Sequence, residues 1–348
     1  MKLIKKNINS EISQKSLYLI FLVLFLRIDL VFLDNTPTGG DMGAHIVAIH
    51  TFINDFMPNF QINGWSNDWF AGYPLYYFYF PLPAIITFFF DLIFPFGVAF
   101  KLMVIISTIL MVYSFEKLLR KESNKFSSFG ATAGFFYVFT ESFTIYGGNL
   151  ASSLAGQFSF GYSLAFANLS IFYLTKSNNK FRFPISSIFL SLCLLSHLIP
   201  FIIYIPIYGF YWLTKKENIN QKILSITIFM ALVLRWSVSL FMNLEFTTNM
   251  RYTPFTRLED LIKEDILPII FILLALIVTK FKDLIKYKSL NLLELYLVIS
   301  SVLLYFFVPE GALWNGRLVP FFNLGVIFIL FKAIEIFIED LNLYQQGI

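Results

Sequence analysis

Apolar runs of spanning or near-spanning length recur along the whole chain. They fall at roughly 17–34, 98–116, 127–145, 153–175, 184–197, 198–213, 222–241, 266–281, 290–308 and 318–338. A helix crossing a bilayer needs about 20 such residues, so the pattern predicts an all-α, polytopic integral membrane protein of about ten transmembrane helices. Composition agrees: 57% of the 348 residues are hydrophobic and 14% are charged, against about 25% charged in soluble domains. Residues 1–348 read as one transmembrane unit, with no internal repeat, low-complexity tract or soluble domain.

Two runs, 184–197 and 198–213, are short for a crossing. Both flanks of the pair are basic, "KSNNKFR" before it and "KKENINQK" after it. Two crossings joined at "SHLIP" return the chain to the side it left, which one long helix does not do, and Pro200 favours a break. With ten spans, eighteen Lys and Arg residues gather on one face, from Lys2 through Lys117, Lys176 and Lys215 to Lys288. The other face keeps Arg251, Arg257, Lys263 and Arg317. The positive-inside rule then predicts both termini in the cytoplasm and a multi-pass protein of the cytoplasmic membrane. The basic head and apolar body of the first 26 residues look like a signal peptide, but no small-residue cleavage site follows, so a retained first helix is expected. Cys193 is the single cysteine, which excludes disulfides and cysteine metal sites.

Segment 72–97 is apolar enough to span, but counting it would invert everything downstream. With Pro81, Pro83 and Pro95 inside it, it is read as an interfacial or re-entrant element. Between Ile28 and Phe100 there is no Lys or Arg, yet Asp29, Asp34, Asp41, Asp55, Asp68 and Asp91 are present, so the first outer loop, about 35–75, is acidic. A second outer loop is expected at 245–265.

Several constellations carry chemistry. In "GGDMGAH", the glycines permit a turn and a helix over about 42–56 follows, lying in the membrane plane. Asp41 reads blandly as its N-cap. The sharper reading is a carboxylate at the water–lipid boundary that takes a proton from a hydroxyl, with His45 one turn on to orient it. Gly147 and Gly148 make a hairpin turn, or bring N–H groups to an anion with Tyr146 and Asn149 as side-chain donors. His197 in "SHLIP" is either a hydrogen-bonded turn residue or a phosphate ligand. Arg317 either snorkels or meets a lipid phosphate. Arg27 and Asp29, two apart on a helix, are expected not to face each other; Arg27, Lys101 and Arg235 each need a partner or a headgroup. Asp41, His45, the glycine tip, His197 and Arg317 are expected to converge on one face, as an anionic lipid headgroup beside a carboxylate base would require.

The series "PTGGDMGAH", "NGWSNDWFAGYPLYYFYFPLP", "FGVAFKL", "SFTIYGGNLASSLAGQFSF", "LLSHLIP" and "WNGRLVPFF" resembles a family of microbial membrane proteins labelled "6-pyruvoyl-tetrahydropterin synthase-related", within the GT-C superfamily of membrane glycosyltransferases. The likeness covers about residues 17–335. It implies a GT-C fold, a catalytic acid in the first outer loop at the position of Asp41, Asp34 as a second acidic partner, and a polyprenyl-phosphate-linked sugar as donor. It does not bring pterin chemistry with it, since the three histidines form no zinc-like cluster. Family members are commonly longer, so a C-terminally truncated form is expected. The implied reaction is an inverting displacement onto an unknown extracytoplasmic acceptor, with Asp41 as general base. His45, Tyr146, Gly147, Gly148, Asn149, His197 and Arg317 would hold the phosphate. No cofactor is predicted. Asp41 and His45 are the pair that would hold a divalent metal, and two ligands are too few to predict one. The bilayer is a partner and nucleic acid is not. The rival readings are a lipid-linked-sugar flippase or transporter, and a non-catalytic lipid-binding scaffold.

Overall fold

The computed structural model describes residues 23–119, 127–140, 146–248, 252–263, 265–279, 292–309 and 311–345. The basic head, the first part of run 17–34, the end of run 127–145 and the basic stretch after run 266–281 lie outside the described residues, as do Arg251 and Glu310. The described residues are mostly helical, and each of the ten apolar runs carries helix among its described residues.

In chain order the helices are α1 (Ile28–Val31), α2 (Met42–Thr51), α3 (Leu82–Asp91), α4 (Phe96–Leu119), α5 (Ser127–Val138), α6 (Leu150–Ser152), α7 (Phe158–Thr175), α8 (Arg182–Ser196), α9 (Leu198–Thr214), α10 (Ile219–Met242), α11 (Leu258–Ile262), α12 (Ile266–Thr279), α13 (Leu292–Phe307) and α14 (Val319–Gln345). Among the described residues, three stretches are long and apolar enough to cross a membrane: α4, α10 and Asn315–Ile334. The helix in segment 72–97 is α3, whose 10 residues span about 15 Å, half of a hydrocarbon core.

Two departures from expectation stand out. A short antiparallel ladder, β1 (Gly64–Ser66) with β2 (Tyr73–Leu75), interrupts the all-α pattern, with Trp65 opposite Pro74. It forms because the chain folds back around Trp65, whose indole lies over Gly72 where a Cβ would come within 2.2 Å. The second departure is at Arg27. Its backbone is left-handed, φ 48°, which breaks the helix and turns its guanidinium onto Asp29 in two bonds of 2.9 and 2.7 Å. The i, i+2 rule that kept them apart holds only for an unbroken helix.

The core is built around α7, nearly all of whose residues are buried and which packs on α4, α8 and α9. Its polar side chains are satisfied across helices: Asn168 donates to Ser114 Oγ at 3.0 Å and accepts from Tyr204 Oη at 2.6 Å. Such bonds hold helices together where lipid supplies little apolar driving force. α5 approaches α4 through Gly130 and Gly134, each 2.8 Å in Cβ position from a backbone Cα of α4. Lys101 on α4 donates to the carbonyls of Leu30 and Leu33, at 2.7 and 2.5 Å, and to Asn35 Oδ1 at 2.8 Å. It therefore ties the end of α1 down. Arg235 donates to Phe60 O at 3.0 Å.

Candidate functional site

α2 begins where expected, directly after Asp41, and continues as a π-turn through Phe56. The Asp41 side chain makes no cap hydrogen bond, so the bland reading of this carboxylate as an N-cap does not describe it. Instead the segment docks on the turn before α7. The Asp41 N–H donates to Ala155 O at 2.9 Å, and the Gly40 backbone lies so close that a Cβ would sit 2.3 Å from that carbonyl. Gly156, at φ 106°, is the matching concession on the other side: a Cβ there would meet Asp41 Cβ at 2.9 Å. Two glycines in left-handed conformations bring two sequence-distant loops into backbone contact.

Gln157 follows at once, and its amide joins the charges. Its Nε2 donates to Asp41 Oδ2 at 3.3 Å, and its Oε1 accepts from Arg317 at 2.9 Å. The amide dipole points its oxygen at the cation and its nitrogen at the anion, which is the electrostatically matched orientation. Arg317 also donates to Tyr146 O at 3.3 Å and lies 6.0 Å from the Phe160 ring.

A cavity of about 310 Å³ lies over this chain of bonds, lined on the polar side by Asp41, His45, Gln157, His197 and Arg317. Trp69, Tyr73, Tyr76 and Tyr79 give it an aromatic wall. That wall is held from two sides. Asp68 accepts from Thr51 at 2.5 Å and from Ser66 at 2.9 Å, tying the ladder to α2. Trp236 on α10 donates to Tyr76 O and Tyr79 O, at 3.2 and 3.0 Å.

His45 packs between the rings of Phe158 and Tyr79, at 4.8 and 5.6 Å. Burial holds its imidazole below the ordinary 6.5, with the Asp41 charge opposing. Burial pushes the Tyr79 phenol up to about 12, so it stays a proton donor. His197 occupies the extended break between α8 and α9, where its Nδ1 accepts the Ile199 N–H at 3.2 Å. That bond leaves Nε2 as the protonated nitrogen. Its ring stacks on Phe80 at 4.9 Å.

The structure thus brings Asp41, His45, His197 and Arg317 to one cavity. The glycine tip stands apart from it. The Gly147 N–H donates to Ser152 Oγ at 3.2 Å, and Asn149 caps α6, accepting the Ser152 N–H at 2.7 Å and donating to Thr140 O at 2.9 Å. Gly148 lies against the Tyr137 hydroxyl. The Gly147 N–H and the Asn149 amide, expected to meet an anion, are spent on the loop's own geometry; Tyr146 reaches the site by its carbonyl. Asp34 is exposed and outside the cavity lining, near Lys101. His50 pairs with Asn54 outside it.

Sequence reasoning passed over Gln157 and the aromatic wall. Gln157 stands in the quoted "SLAGQ", directly after the glycine that kinks the chain. Among the described residues, no group of three or more His, Cys, Asp or Glu is arranged to hold a metal; Asp41 and His45 remain the adjacent pair. A scan of known protein families and a comparison with curated proteins found no match to this chain.

Proposed function

We propose that the chain is a membrane glycosyltransferase of the GT-C type, moving a sugar from a polyprenyl-phosphate donor to an acceptor hydroxyl outside the cytoplasm. The observation that supports this most is the Asp41 carboxylate: free of capping duty, it lines a cavity that also holds Arg317 and a His197 donor. The acceptor oxygen attacks the anomeric carbon while the bond from that carbon to the phosphate oxygen breaks. The electron pair leaves with the phosphate, and the acceptor proton passes to Asp41. Arg317 and the His197 Nε2–H stabilise the departing phosphate. A single displacement inverts the anomeric centre. Tyr73, Tyr76 and Tyr79 supply the wall against which the sugar ring rests.

The test is incubation with a panel of polyprenyl-phosphate sugars, following release or transfer of the sugar. Wild type acts on at least one donor, and Asp41→Asn abolishes transfer while the protein stays folded. Near-normal transfer by that variant removes the base role. Binding of the lipid phosphate with no transfer by either protein would favour the scaffold reading.

A further inference from the structure

A second cavity, of about 280 Å³, takes no part in the chemistry above. Tyr252, Phe255, Thr256, Tyr305 and Trp314 line it. Trp314 is its organising residue. The indole centroid lies 5.2 Å from Tyr252, 5.4 Å from Phe255 and 5.6 Å from Tyr146. Its Nε1–H donates to Thr253 O at 3.3 Å, fixing the edge of the ring as well.

The wall behind it is equally constrained. Asn315, 2% exposed, accepts the Phe255 N–H at 3.0 Å and donates to Phe255 O and Tyr305 O, at 2.8 and 3.0 Å. An aromatic surface held this firmly costs little to order when a ligand arrives. The two cavities share a partition: Asn315 and Arg317 belong to one short 3-10 turn, and Tyr146, which touches Trp314, accepts from Arg317 through its carbonyl.

Aromatic faces carry negative charge density and attract the weakly positive C–H hydrogens of a sugar ring. The Thr256 and Tyr252 hydroxyls can take the sugar's O–H edge. Four aromatic rings and a hydroxyl, with no Asp, Glu, His, Lys or Arg among the lining residues, suit a neutral ring, not an anion. We propose that this second cavity is a carbohydrate subsite that holds a pyranose ring of the acceptor against Trp314. The acceptor role rests on the glycosyl-transfer reading, because the hydroxyl to be glycosylated must reach Asp41 across the partition.

The test uses the full chain in lipid nanodiscs, which avoids sugar-headed detergents. Methyl glucoside, methyl mannoside and methyl galactoside, each as both anomers, and their disaccharides are titrated while tryptophan fluorescence is followed. At least one should give a saturable change that Asp41→Asn retains and Trp314→Leu weakens by about tenfold. Tyr252→Ala provides a second variant should Trp314→Leu not fold, and it should weaken binding in the same direction. No saturable change with any sugar, or a change that both wall variants keep, overturns the subsite. Wall-dependent sugar binding by a protein that transfers nothing from any donor would leave the subsite standing and remove the enzyme reading.

Discussion

At Gly156 a single hydrogen in place of a methyl lets two loops meet. Its φ of 106° is strained for any L side chain, and a Cβ would press on Asp41 Cβ. Gly156→Ala should therefore cost about 1–3 kcal/mol of stability and lower transfer activity, because Asp41 and Gln157 both shift. Thermal unfolding in detergent and a turnover assay read the two effects separately. Gln157→Glu probes the same junction by charge: a carboxylate in place of the amide cannot donate to Asp41. Transfer should fall while Arg317 keeps a partner. His45 gives a pH signature. Its folded value lies below the ordinary 6.5, so as pH falls under about 6.5 the unfolded chain takes up a proton that the folded chain does not. Stability contributed by neutral His45 is fully present above that pH and is lost below it. Melting temperature should drop between pH 7 and pH 5 more steeply for wild type than for His45→Gln; equal slopes would show that the imidazole does not carry the effect.

The elements of the site differ in how far their sequence announces them. The helix after Asp41 is readable because apolar residues recur at three- and four-residue steps behind a Gly-Gly turn. The break at "SHLIP" is readable from its basic flanks. The β1–β2 ladder is not, since strands of three residues carry no alternation and the register depends on an indole lying over a glycine. Asp41 and Gln157 meet through a kink set by tertiary contact, so neither neighbour predicts the other. The same holds for Asn149, whose amide looks like an anion donor until the turn it caps is seen. α10 is the element that fixes the aromatic wall, through Trp236, 1% exposed, and through Asn63, which donates to Ser239 Oγ at 2.7 Å. Trp236→Phe keeps an apolar ring against Phe80, at present 5.4 Å away, but leaves the Tyr76 and Tyr79 carbonyls without their shared donor. A loss of about 1–3 kcal/mol should follow, with donor affinity falling more than the catalytic rate. An unchanged melting temperature would mean that the loop is held elsewhere.

Along α7, α8 and α10 the cavity and the basic clusters Lys176–Arg182 and Lys215–Lys222 occupy opposite ends. α7 starts at the cavity, just after Gln157, and its 18 residues carry the chain about 27 Å to Lys176, whose ammonium bonds Leu118 O at the far end of α4. α8 starts at Arg182, which bonds Glu217 and Lys216 O between α9 and α10, at 2.9 and 3.0 Å, and ends at His197 on the cavity side. α10 then climbs from Ile219 to Trp236 and the aromatic wall. For this polarity the positive-inside rule predicts the Lys176–Lys216 end in the cytoplasm and Asp41 outside. Single cysteines in a Cys193→Ala background test it, Cys193 itself being fully buried. Asn67→Cys, on the exposed turn of the ladder, should react with a membrane-impermeant maleimide on intact cells. Asn178→Cys, exposed between α7 and α8, should react only after permeabilisation. The reverse pattern would put the carboxylate in the cytosol, where an extracytoplasmic acceptor cannot reach it, and the transfer reaction proposed for this chain would have to be abandoned.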